Sequence, residues 1–169
     1  IIEKIDWSNL LTRTGIDSSN LLGNKIRSGA ATIKLYFFLR ESASVKDFDF
    51  NLTKLREFLD NNAGIKIYRD RIVVKPYGFP SSQFGYDWLG LADRKAKGPA
   101  GISRSDNYSV TPNQLVGAVF IARDSNIELA DSAAREGLVE SEAFYDLKSL
   151  VMGTINMLES YRTRLIPKI

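Results

Sequence analysis

Arg135 is the residue whose type and setting best suit it to do chemistry. It stands in Ser132-Ala-Ala-Arg-Glu-Gly-Leu138, a small and polar stretch between an apolar run and a long amphipathic pattern. A guanidinium keeps its charge at any working pH, and its planar fork bonds two oxygens at once, which suits a terminal phosphate. By residue type alone, an arginine ahead of a helix is more often a surface group or half of a local ion pair, so both readings stand at this point. A second basic group, Arg94, Lys95 and Lys97, offers further candidates for contact with phosphate or nucleic acid, with a solvated loop as the plainer alternative. Paired carboxylates occur at Asp47/Asp49 and Glu140/Glu142. Residues two apart on a helix point away from each other, so surface charge and helix capping account for them better than acid–base catalysis. The aromatic set Tyr36, Phe37, Phe38, Tyr68, Tyr77 and Trp88 has the chemistry of a base-stacking platform. Most of these residues fall in strand patterns, which favours core packing.

What is missing narrows the chemistry further. The 169 residues include no cysteine and no histidine. Disulfides, thiolate metal sites, Ser-His and Cys-His nucleophile pairs and most zinc chemistry are thereby excluded from this chain. Neither G-x-x-x-x-G-K-[ST] nor G-x-G-x-x-G occurs, so the usual phosphate-cradling loops are lacking. A net charge of +3 permits an acidic partner, including nucleic acid, without requiring one. No apolar run approaches the roughly 20 residues of a membrane-spanning helix, and no signal pattern opens the chain. The expectation is a cytoplasmic protein with no membrane partner. The first residues, Ile1-Ile-Glu-Lys-Ile-Asp-Trp7, lack an initiator Met and read as a start inside a longer protein.

The elements that must position Arg135 are legible as patterns. The length fits one domain plus an arm: residues 1–30 read as an N-terminal arm or linker and residues 31–169 as the domain. Within the arm, Asp6–Arg27 reads as short helical turns and loop. Thr32–Leu39 is β-branched and aromatic, a buried strand. Leu52, Leu55, Phe58 and Leu59 recur at helical spacing over Asn51–Asn61, with Asn51 as N-cap and Gly64 as stop. Ile65 and Ile67 alternate with Lys66 and Tyr68, predicting a strand, and Arg69-Asp70-Arg71 reads as a tight turn into a second strand. Gly78–Pro112 is a long connection anchored by Trp88 and Leu89. Leu115–Arg123 predicts a central strand. A helix over Ser141–Arg164 places Phe144, Leu147, Val151, Ile155, Leu158 and Tyr161 on one stripe. Acidic residues at its start and Arg162 and Arg164 near its end complement the helix dipole. Strand, helix, three strands and helix make an α+β fold, a mixed β-sheet with helices packed on one face.

Four ordered motifs carry a family resemblance: Gly64–Gly78 (GIKIYRDRIVVKPYG), Asp87–Lys95 (DWLGLADRK), Leu115–Leu129 (LVGAVFIARDSNIEL) and Arg135-Glu-Gly-Leu138. They cover somewhat over half the chain, from Gly64 to Arg162, and residues 1–63 match less clearly. The set is similar to bacterial GHKL ATPases, and the run from Ala134 to Arg162 resembles the middle domain of the ninety-kilodalton heat-shock chaperones. In those chaperones a Ser-Arg-Glu loop leads into a long helix, and its arginine contacts the γ-phosphate in the neighbouring N-terminal domain. Ala134-Arg135-Glu136 occupies that motif here, with Ala in place of Ser, and Gly137 also departs from the chaperone pattern. Gyrase and mismatch-repair relatives use a lysine in the comparable loop.

The resemblance implies a ribosomal-protein-S-five domain-two-like fold and a transducer role, with Arg135 contacting phosphate across domains. Glu136 would support the loop and Gly137 would permit its turn into the helix. It implies no cofactor held by this chain itself, with Mg-ATP and the general base in an upstream domain. The expected partners are that ATP-binding domain of the same protein, a second copy in a homodimer, and a protein client or DNA. Two other classes stay open: a nucleic-acid-binding β/α module, and a scaffold or dimerisation domain that uses the final helix as its interface.

Overall fold

A computed structural model describes residues 26–40, 51–97, 109–134 and 136–165, the last stretch with side chains as far as residue 162. Its centre is a four-stranded mixed sheet of strands β1 (Thr32–Phe37), β2 (Gly64–Arg69), β3 (Ile72–Val74) and β4 (Leu115–Ile121), in the spatial order β1-β4-β2-β3. β4 pairs antiparallel with β1 and parallel with β2, and β2 forms an antiparallel hairpin with β3. The α+β class and the mixed sheet expected from the sequence are therefore present.

The period-2 side-chain alternation of strands sorts the sheet into two unlike faces. Ile33, Leu35 and Phe37 of β1, Ile65 and Ile67 of β2, and Leu115, Val119 and Ile121 of β4 share one face and join the main core. Helix α3 (Glu142–Leu165) lies in that core through Ala143, Phe144, Leu147, Val151 and Ile155. Four of the six residues of the predicted stripe are thus buried, and Leu158 packs against the cluster. The short helix α2 (Leu91–Lys97) adds Leu91, with Trp88 and Leu89 just ahead of it as the anticipated anchors. Its first turn is capped by Asp87, whose carboxylate accepts from the backbone N–H of Leu91 at 2.8 Å and of Ala92 at 2.9 Å, satisfying orphan donors of the helix start.

Helix α1 (Leu52–Asn62) begins where its sequence says: Asn51 Oδ1 accepts from the N–H of Lys54 at 3.1 Å. Its buried Leu55 and Leu59 form a separate small cluster with Ala63, Phe38 and Val116. Val116 points to the sheet face opposite the main core, so α1 covers one end of that second face. The described helices thus lie on both faces rather than on the one face expected from the sequence, and no other described helix packs beside α1 on the second face.

Residues 26–30, the end of the stretch read from sequence as an arm, are docked on the domain. The Arg27 backbone N–H and Nε donate to Asp146 Oδ2 at 2.8 and 3.2 Å. Asn126 Nδ2 donates to the carbonyls of Ser28 and Ala30 at 2.6 and 2.9 Å, while its Oδ1 accepts from the N–H of Ala122 at 2.8 Å. Buried Asn126 thus ties the entry to β1 to the exit of β4. The rest of the predicted arm, including Asp6–Lys25, lies outside the described residues.

Candidate functional site

The segment Ser132–Gly137 is a lobe with a closed base. Asp131 and Leu138 form an isolated antiparallel bridge. The Ser132 N–H donates to the Gly137 carbonyl at 3.0 Å, and the Val139 N–H donates to the Ala130 carbonyl at 2.9 Å. Arg135 belongs to this lobe by sequence but lies outside the described residues, so its contacts form no part of the geometry. Ala133, Ala134 and Glu136 are exposed. Helix α3 starts four residues beyond Leu138.

Two buried side chains hold the base of the lobe. Arg69, the last residue of β2, points into the core side of the sheet in line with Ile65 and Ile67, and it is 7 % exposed. A buried guanidinium needs partners. Its Nη1 donates to Asp131 Oδ1 at 2.5 Å, and its Nη2 donates to the Leu129 carbonyl. Tyr77 supplies the second hold. Its hydroxyl accepts from the Leu138 N–H at 2.9 Å and donates to the Leu138 carbonyl at 3.4 Å. The ring is fixed in turn by Trp88 and Phe144, with centroids 5.3 and 5.7 Å away, and Trp88 Nε1 donates to the Ile65 carbonyl at 2.8 Å. Burial pushes the Tyr77 phenol above its ordinary pKa, partly offset by the Leu138 backbone hydrogen bond and reinforced by the Glu140 charge.

Gly137 is where the lobe closes onto this tyrosine. Its φ is +77°, and a Cβ there would sit 2.9 Å from the Tyr77 hydroxyl. Both the left-handed backbone and the close approach call for glycine; the sequence reading expects a turn here but not the approach to Tyr77. Glu136, expected to support the loop, is exposed, whereas the bonds that close the base come from the backbone, Arg69 and Tyr77.

Beside the lobe lies a cavity of about 400 Å³, walled by the β2–β3 hairpin on one side and by Asp131, Ser132 and Gly137 on the other. Arg69, Lys75 and Arg123 bring three cations to its lining, against Asp70 and Asp131. Arg123 is largely exposed, with Nη2 3.7 Å from Asp131 Oδ2. The lining thus carries three cations against two carboxylates, with Arg69 and Arg123 both directed at Asp131, so the formal excess is a single positive charge.

The other basic candidates separate. Arg94 donates from Nη1 to Asn156 Oδ1 at 2.8 Å and pairs with Glu159, joining α2 to α3. Glu159 also accepts from the Val110 N–H at 2.8 Å. Arg94 is thus committed to a partly buried clamp, while Lys95 and Lys97 are exposed on α2 and are not among the residues lining the cleft beside Arg135's loop. Sequence reasoning missed Arg69 and Asp131. The signal was present: an arginine at the third inward position of an Ile-x-Ile-x-Arg strand must find an acid or carbonyls in the core.

No family model, no curated protein and no solved structure matches the chain. The lobe, its buried supports and the cleft are accordingly read on their own chemistry. Among the described residues no group of three or more acidic side chains is placed to hold a metal ion, and no helix is long and apolar enough to cross a membrane.

Proposed function

We propose that this chain is the transducer segment of a GHKL-type ATPase, related to the ninety-kilodalton heat-shock chaperones and ribosomal-protein-S-five domain-two-like in fold. It senses the γ-phosphate of ATP bound in an upstream domain and couples hydrolysis to domain movement. The observation that carries the reading is the clamped lobe Ser132–Gly137. The base of that loop, which carries Arg135 by sequence, is fixed by Arg69–Asp131 and by Tyr77; its described ends Ser132 and Gly137 line the neighbouring cleft, and it precedes the longest helix among the described residues. A cation delivered from a second domain stabilises charge on the transferring phosphoryl oxygens, an effect worth roughly 10³–10⁵ in rate in other phosphoryl-transfer enzymes. Holding the loop rigid lowers the entropy lost when that contact forms. Contact made only with ATP present favours one orientation of the two domains, and α3 carries the change into the core that it helps to build.

In this reading Mg-ATP belongs to the upstream domain. The role left to the chain is to bring Arg135 to the phosphate and to report its presence. Calorimetry tests the division of labour. Mg-ATP titrated into the 169-residue chain gives no measurable heat, whereas the longer protein that includes the upstream domain binds it. A micromolar constant for the chain alone would overturn the reading.

A further inference from the structure

The second face of the sheet is built differently from the first, and its pattern has a chemical meaning. The strand register sorts it into rows. Tyr36, Val116 and Gly64 form one row, Lys34, Ala118 and Lys66 the next, and Thr32, Phe120, Tyr68 and Val73 the third. Lys75 stands one step past β3, two residues from Val73, and so continues the lysine row. Among the described residues no acidic side chain occupies a strand position on this face. Tyr36 is 61 % exposed and Phe120 36 %, although both are large and apolar.

The aromatic and cationic groups touch one another. Tyr68 and Phe120 stack at 5.4 Å between centroids and 23° between planes. Lys34 Nζ lies 5.6 Å from the Phe120 ring centre, and Lys66 and Lys75 both approach Phe79, at 5.4 and 5.8 Å. Among the described residues no carboxylate stands in the rows beside these two ammonium groups, and Lys66 Nζ donates to a neutral acceptor, the Asn62 carbonyl, at 3.0 Å. Burial lowers the Lys66 pKa from its ordinary value, and a bound anion would relieve that cost.

We infer that this face binds a single strand of nucleic acid, with the lysine row on the phosphates and Tyr36 and the Tyr68–Phe120 pair stacking on bases. Charge complementarity selects a polyanion, and the exposed rings select one with accessible π-faces. A duplex hides its base faces inside the stack, whereas single strands splay them onto protein aromatics. Tyr36 and Thr32 are four residues apart on β1, about 13 Å at strand rise, so the two aromatic rows engage different bases while the lysines lie between them. The site shares Val73 and Lys75 with the lining of the cleft beside the lobe, but its aromatic rows lie elsewhere and it does not depend on the ATPase reading.

Fluorescence anisotropy with a labelled single-stranded oligonucleotide, a duplex of the same sequence and a polyglutamate peptide tests the inference on the whole 169-residue chain. Single-strand affinity is expected in the range of about 10⁻⁴–10⁻⁶ M with a log–log salt slope near −2, from three lysine–phosphate contacts at about −0.7 each. Tyr36→Ala is expected to weaken binding roughly 5- to 100-fold at unchanged slope, as loss of one stacked base does. Combining Lys34→Gln with Lys66→Gln should flatten the slope, and because these side chains sit on the open face it provides an arm independent of any folding defect in Tyr36→Ala. Absence of single-strand binding, a duplex bound as tightly as the single strand, or polyglutamate bound equally well with Tyr36→Ala without effect would each overturn it.

Discussion

Tyr77 shows how one side chain links the stability of the core to the shape of the site. Its hydroxyl serves both backbone groups of Leu138 at the base of the lobe, and its ring belongs to the aromatic cluster with Trp88 and Phe144. Tyr77→Phe leaves the buried Leu138 N–H without its acceptor, and a cost of about 1–3 kcal/mol is expected in urea unfolding at neutral pH. The pH dependence has a definite sign. Because burial raises the folded-state pKa above the ordinary 10.0, the neutral phenol's contribution is fully present below about pH 10 and is lost as pH rises through the folded value. Tyr86, also raised chiefly by burial, contributes in the same direction. Wild type should therefore lose stability at alkaline pH, and Tyr77→Phe should lose less over the same interval. A variant as alkali-sensitive as wild type would remove Tyr77 from this role. At this scale the sequence was partly legible. A turn at Gly137 was expected from the resemblance and from glycine's freedom, whereas the closure of the lobe's base was not read from sequence. Arg69 was missed because a basic residue at a strand end reads as a turn residue unless its inward parity is counted. Arg94 was taken as a phosphate candidate because its partner Glu159 is distant in sequence.

Among the described elements, the β2–β3 hairpin carries non-glycine residues with left-handed backbone. Asp70 and Arg71 have φ values of +49° and +71°, the pattern of a two-residue turn matched to strand twist, for which Asn-Gly is the usual solution. Asp70 is compensated: its N–H donates to the Ile121 carbonyl at 3.1 Å, and its carboxylate accepts from the Arg123 N–H at 3.2 Å. Left-handed backbone at Arg71 costs about 1–2 kcal/mol, and glycine's greater freedom in the unfolded chain returns about half of that. Arg71→Gly is therefore expected to stabilise the chain by about 0.5–1 kcal/mol, seen as a raised denaturant midpoint at unchanged m-value. Gly137→Ala should act in the opposite direction by about 1–2 kcal/mol, since its φ is +77° and the new Cβ meets the Tyr77 hydroxyl; unchanged stability would show that the lobe is not closed on Tyr77. Alternation, caps and the apolar stripe made β1, α1, β2, the hairpin, β4 and α3 readable, because those signals are local. The short helix α2 was hidden inside a Gly- and Pro-rich connection. Its start depends on the Asp87 cap, a signal of one residue.

For the whole molecule, the two faces of the sheet divide the work. One face and α3 form the core, and with the Arg69 and Tyr77 supports they fix the lobe that carries Arg135. Among the described residues the other face is covered only at one end by α1, and it carries lysines and aromatics beside its aliphatics. The stripe of α3 is occupied within the core, so a dimer built on that same stripe would require the fold to open. The aromatic set read from sequence as core material divides between the faces: Tyr77 and Trp88 are buried, while Tyr36 is exposed. Composition and periodicity could not make this division, because it depends on which helix covers which face.

The central proposal is that Arg135 acts on phosphate bound in another domain, and steady-state ATP hydrolysis by a protein that includes the proposed upstream domain tests it most directly, comparing wild type with Arg135→Ala. The account predicts a fall in turnover of about 10²-fold or more, in keeping with the loss of a phosphate-directed cation, with nucleotide affinity changed only a few-fold. Turnover equal to wild type, or a loss traced entirely to weaker nucleotide binding, would contradict it.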